Sequence, residues 1–156
     1  MGKLLLKNAT LVCPDRIIQS DLLTDGSRIA RIDPDISDAE AQILDCAGLM
    51  VLPGLIDDHV HFRDPGMPQK ASIYSESRAA VLGGVTSFLD MPNTVPPTLT
   101  VRDLNDKLAK AQKDSVANYG FYMGASADNI EELKRVDPNA IAGIKIFMGS
   151  TTGNML

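Results

Sequence analysis

His59 and His61 are the only histidines in the chain, and they stand two residues apart in Pro53-Gly54-Leu55-Ile56-Asp57-Asp58-His59-Val60-His61-Phe62-Arg63. On an extended strand, residues i and i+2 point to the same face. The spacing therefore aims two imidazoles at one point, and zinc accepts imidazole nitrogen readily. The plainer alternative is a pair of solvent-facing histidines on a loop. The apolar residues Leu49-Met50-Val51-Leu52, then Leu55-Ile56 after the Pro-Gly, read as a short buried strand ending in a polar tip.

Three more residue types suit chemistry. Arg63 has a planar fork that matches a carboxylate; by itself, an ion pair with Asp64 or Glu76 is the plainer reading. Asn93, between Pro92 and Thr94, offers an amide, with an Asx-turn as the plainer role. Lys145 lies among Ile144, Ile146, Phe147 and Met148, the makeup of a strand buried on both faces. One reading is an edge position whose ammonium reaches water. The other is a lysine pushed toward its neutral form by burial, able to add carbon dioxide and become a metal-bridging carbamate.

These residues need a scaffold that brings them together. Residues 1–52 read as short strands and turns: Lys3 to Val12, Ile17 to Thr24, a hairpin turn at Asp25-Gly26, Ser27 to Ile32, and Ile43 to Cys46. From residue 53 to 156 the pattern alternates strand and helix. A helix over Ser72 to Leu82, with Ile73, Ser77, Ala80 and Val81 on one face, ends at Gly83-Gly84. Val85 to Leu89 is a strand leading to Asp90-Met91-Pro92-Asn93. Thr100 and Asp103 cap a second helix with Leu104, Leu108 and Ala111 inside. Val116 to Met123 is a strand, Asp128 and Glu131 cap a third helix, and Ile141 to Phe147 is the last strand. Such alternation predicts an α/β fold with a parallel sheet and right-handed crossovers. Ligands then bind at the carboxyl ends of the strands, where His59, His61, Arg63, Asp90 and Asn93 stand.

Composition narrows the classes. The 156 residues are 44% hydrophobic and 22% charged, with a net charge of -5, as in a globular protein with no basic surface for nucleic acid. No apolar run approaches a membrane span, and no targeting segment is visible. Cys13 and Cys46 lack metal-like spacing and read as free thiols in a cytoplasmic protein.

Together these motifs resemble the amidohydrolase superfamily, and within it the dihydroorotases. The residues that carry the resemblance are Pro53-Gly54 with Asp57-Asp58-His59-Val60-His61, continued by Phe62-Arg63-Asp64-Pro65-Gly66. To these add Gly83-Gly84-Val85-Thr86, Asp90-Met91-Pro92-Asn93-Thr94 and Gly143-Ile144-Lys145-Ile146-Phe147. The resemblance implies a (β/α)₈ TIM barrel preceded by a small β-sandwich segment. It implies His59 and His61 on one Zn2+, with carboxylated Lys145 bridging to a second, and Arg63 and Asn93 on the substrate carboxylate. The implied reaction interconverts N-carbamoyl-L-aspartate and L-dihydroorotate in pyrimidine biosynthesis. Allantoinases and hydantoinases are near relatives, and a non-catalytic homologue acting as a structural partner is a third reading. A homo-oligomer is expected of the complete enzyme.

A (β/α)₈ barrel takes about 250 residues, whereas the sequence stops at Leu156 and no histidine follows His61. The family's remaining histidine ligands and its catalytic aspartate, the general acid/base, are therefore expected beyond residue 156. The sequence reads as the front half of an enzyme: a fragment, a truncated form, or a product that needs a partner. Residues 1 to 156 alone are expected to be inactive, to bind zinc weakly and to self-associate.

Overall fold

The computed structural model describes residues 2–149 and divides the chain into two units, Met1–Pro53 and Gly54–Leu156. In the first unit, β1 (Lys3–Val12) pairs antiparallel with β2 (Ile17–Asp25), which pairs antiparallel with β3 (Arg28–Asp33). β4 (Gln42–Asp45) and the two-residue β5 (Met50–Val51) both lie parallel to β1. The register of β1 against β2 shifts between Leu6 and Ala9, where Asn8 takes φ +59°. Asparagine is one of the few side chains that tolerate that conformation. Leu5, Leu23 and Ile36 form one small apolar cluster, and Ala9, Leu11, Leu22 and Cys46 another. Both cysteines are free thiols.

The second unit is a four-stranded parallel sheet in the order β6-β7-β8-β9: β6 (Leu55–Val60), β7 (Val85–Asp90), β8 (Asn118–Gly124) and β9 (Gly143–Lys145). The crossovers carry α1 (Ile73–Leu82), α2 (Val101–Asp114) and α3 (Ile130–Arg135). Each long helix begins where side chains satisfy its free amides. Ser72 with Ser75 forms a capping box for α1, and Thr100 with Asp103 does the same for α2. Alternate strand residues Phe88, Phe121 and Met123 meet Ile73, Leu104 and Ala111 of the helices in one core, joined by Phe62.

Several expectations need correction. Leu49 to Leu52 and Leu55-Ile56 are not one strand: Met50–Val51 joins β1, and β6 starts afresh after Pro53-Gly54. A Cβ at Gly54 would run into the Thr86 side chain, so that restart sits where backbone and strand neighbour approach closely. Val81 turns outward on α1. α3 starts at Asn129 rather than Asp128; the Asn129 amide instead donates to Leu99 O and Gly124 O and accepts from Ser126 N, each at 2.8 Å. β9 is shorter than Ile141 to Phe147 and is not buried on both faces: Ile144 is 48% and Ile146 62% exposed. Leu55 and Ile56 of β6 are likewise exposed. Among the described residues, β6 and β9 are the two edges of this sheet.

Candidate active site at the strand ends

β6 delivers the two histidines, although His61 lies one residue past its end. The register against β7 slips between Asp57 and Val60, leaving an extra residue on β6. Such bulges re-aim side chains beside sites. The imidazole centroids stand 5.2 Å apart at 57°. Asp57 Oδ1 accepts from His59 N at 3.2 Å, and Tyr122 of β8 donates its hydroxyl to Asp58 O at 3.3 Å. The backbone leading to both rings is thus held from two sides.

Asn93 is buried, and its Oδ1 lies 2.7 Å from His61 Nδ1. An amide oxygen only accepts, so this contact assigns the proton to Nδ1 and leaves the Nε2 lone pair for a ligand. The Asx-turn reading is replaced by this contact. Partial burial pushes the His61 imidazole below its ordinary pKa. The Asn93 bond opposes that shift, while Arg63 and His59 add to it. The neutral ring, the form that binds metal, is favoured.

Arg63 takes φ +61° and donates from Nη1 to Asn93 O at 3.4 Å. It makes no ion pair with Asp64 or Glu76 among the described residues, so its plainer reading does not hold. The segment after it folds back on the loop that follows β7: Val95 N donates to Pro65 O at 3.0 Å. Gly66, at φ +97°, packs so closely on Val95 that a Cβ would meet its carbonyl oxygen. His61, Arg63 and Asn93 therefore share one corner.

Lys145 closes β9, at the sheet edge opposite β6, with Nζ 5.2 Å from the Phe147 ring centroid. In sheet order, β7 and β8 stand between it and the strand that leads to the histidines. Among the described residues, no group of three His, Cys, Asp or Glu side chains is placed to hold a metal ion. The donor set that is present, two imidazoles on one face with one Nε2 freed by a second partner, matches part of a zinc shell.

The sequence reading missed what lies beneath this corner. Lys107 of α2 is 1% exposed and sits 2.6 Å from Asp90 Oδ2, itself 0% exposed. Asp90 Oδ1 accepts from Phe62 N at 2.9 Å. Lys107 also donates to Met91 O at 3.1 Å and lies over the Phe121 ring. Burial lowers the Lys107 pKa, against the pull of Asp90. The signal was available: Lys107 falls between Leu104 and Ala111, on the inner stripe of α2.

Comparison with known proteins fits this geometry. The amidohydrolase family model matches residues 50–153. An allantoinase of Desulfitobacterium hafniense is 38% identical over 145 residues, 92% of this chain and 32% of the relative. A dihydroorotase of Methanosarcina acetivorans is 34% identical over 152 residues, 96% of this chain and 32% of the relative. The structure of L-hydantoinase from Arthrobacter aurescens superposes with a TM-score of 0.91 at 30% identity, over 99% of this chain and 35% of that one. The chain thus spans about a third of the length of these relatives. The parallel sheet of the second unit corresponds to the start of a TIM barrel, and with the histidine strand inside the matched region the chain belongs to the amidohydrolase family.

Proposed function

We propose that the chain is part of a zinc-dependent cyclic amidohydrolase that interconverts L-dihydroorotate and N-carbamoyl-L-aspartate. The observation that carries the reading is the corner at the end of β6: His61, fixed through Nδ1 by Asn93, beside His59 and Arg63. His59, His61 and a carboxylated Lys145 are the residues of this chain that would hold metal. Bound zinc supplies Lewis acidity, which lowers the pKa of water to about 7 and polarises an amide carbonyl.

The chain's own residues orient the substrate. The Arg63 fork and Nδ2 of Asn93 hold its free carboxylate; Oδ1 of Asn93 is already engaged with His61. In the hydrolytic direction, water adds to the ring amide and the C–N bond breaks. The products of that cleavage are a new carboxylate and a terminal ureido nitrogen.

The test compares dihydroorotate, allantoin and a 5-substituted hydantoin as substrates of the complete enzyme that contains this chain, in wild type and Arg63→Lys. Lysine keeps the charge but loses the fork. Turnover of dihydroorotate, with kcat/KM reduced at least tenfold in Arg63→Lys and zinc content unchanged, is the expected result. Turnover confined to the substrates lacking a carboxylate, or equal kinetics for both proteins, overturns the assignment and favours the allantoinase or hydantoinase reading.

A further inference from the structure

We propose that Asp90 and Lys107 are a buried positioning pair that fixes the His61 imidazole through the main chain of Phe62. The proposal rests on reading His61 as a metal ligand. Its geometry begins with strand alternation: Phe62 and Asp64 are buried, while His61 and Arg63 between and before them reach Asn93. The peptide joining His61 to Phe62 donates its N–H to Asp90 Oδ1 at 2.9 Å. A bond from an amide to a carboxylate is roughly twice as strong as a neutral one. It fixes the peptide plane on which the His61 side chain stands.

Asp90 does this at 0% exposure because Lys107 lies against its other oxygen at 2.6 Å. A lone buried carboxylate would be far less stable. Lys107 also donates to Met91 O at 3.1 Å, and Met91 N donates to Val60 O at 2.9 Å. One ammonium therefore ties α2 to the ends of both β6 and β7.

A second carboxylate fastens the far side of the same segment. Asp64 Oδ2 accepts from Ile73 N at 2.9 Å, at the start of α1, and lies 3.4 Å from Lys110 Nζ. Lys107 and Lys110 are three residues apart and so lie on one face of α2. Residues 61 to 64 thus hang between two acid–lysine contacts made by a single helix. Asp90 and Lys107 do not reach the candidate metal or substrate directions; they act through Phe62.

The pair is tested with two double variants of the complete enzyme that contains this chain, and both leave no buried charge unpaired. Asp90→Asn with Lys107→Met keeps an oxygen acceptor for Phe62 N. Asp90→Leu with Lys107→Met removes it. The readouts are zinc dissociation constant by chelator competition and the nitrogen-15 signals of the His61 ring, which report its tautomer. The leucine variant should bind zinc about tenfold or more weakly and mix its His61 tautomers, while the asparagine variant stays within about threefold of wild type. Equal zinc affinity and one common tautomer signal in all three proteins would overturn the positioning role, as would equal losses in both variants. If wild type neither binds zinc nor opens a cyclic amide, the proposed function falls, and the tautomer signals alone decide for or against the pair. If neither variant folds, exchange of the wild-type Phe62 amide decides: at least tenfold slower than that of Arg63 supports the pair, and equal rates overturn it.

Discussion

In the Met1–Pro53 unit, the prominent ion pairs sit where at least one partner meets water. Lys7, a quarter exposed, reaches Asp21 at 2.6 Å and Asp35 at 3.0 Å, and Lys3 reaches Asp38 and Glu40, each at 3.0 Å. In the Gly54–Leu156 unit, Lys107 and Asp90 are both sealed from solvent beneath the strand ends. The same chemistry is used for different ends. A half-wet pair trims the register of a small sheet with two modest apolar clusters. A dry pair contributes little net stability against a well-packed apolar replacement, yet its single loss is severe. Its place under a candidate ligand points to geometry rather than stability as its use.

The comparison is most sharply broken by Lys107→Met alone. That change strands Asp90 without a counter-charge and should destabilise the Gly54–Leu156 unit by about 3–5 kcal/mol. Amide exchange of β7 and β8 against denaturant would measure it. A loss no larger than that of a surface pair would erase the distinction between the two units.

A smaller effect is expected at Asp21. Lys7, with the amides of Ile36 and Asn8, holds its carboxyl well below the usual 3.8, at about 2. The folded state therefore binds this proton less readily than the unfolded chain. The stability it contributes is fully present above pH 3.8 and is lost as pH falls toward about 2. Asp21→Asn should remove that acid-dependent loss from β1 and β2 while leaving β7 and β8 unchanged. Amide exchange or circular dichroism followed from pH 5 to 2 would show it. An unchanged acid transition in the variant would place the pH sensitivity elsewhere.

The smallest expected effect is at Thr100, whose hydroxyl accepts from Asp103 N at 3.1 Å to start α2. Thr100→Ala should lower stability by about 1 kcal/mol. Because α2 carries Lys107, zinc affinity should stay unchanged if the buried pair, rather than the helix start, sets the site. Denaturation and chelator competition on the same protein separate the two.

Much of the fold was legible because local rules suffice for it. The hairpin at Asp25-Gly26 has φ +57° at the glycine, and the Thr100 capping box forms as its spacing requires. The alternation of strands and helices after Pro53 gave the parallel sheet. What was not legible depended on partners distant in sequence. Asn93 is legible as a turn residue or a carboxylate-binding amide, but not as the partner of an imidazole 32 positions away. The inner-stripe position of Lys107 is visible in the sequence, but its partner Asp90 lies on another element. Hydrophobic runs also overstated burial at Ile144 and Ile146, since an apolar pattern records what a side chain prefers and not whether a neighbouring strand is there to cover it.

The alternation around His61 has a consequence for how such a site diversifies. Phe62, its neighbour, packs on Phe88 with ring centroids 4.4 Å apart, deep in the core. Chemistry and packing are therefore adjacent beads on one string, facing opposite ways. A change in the shape of the core at Phe88 is expected to be felt at Phe62, and through their shared peptide at His61. Selection on substrate preference then has a second handle, reached from behind, in residues that never meet the substrate.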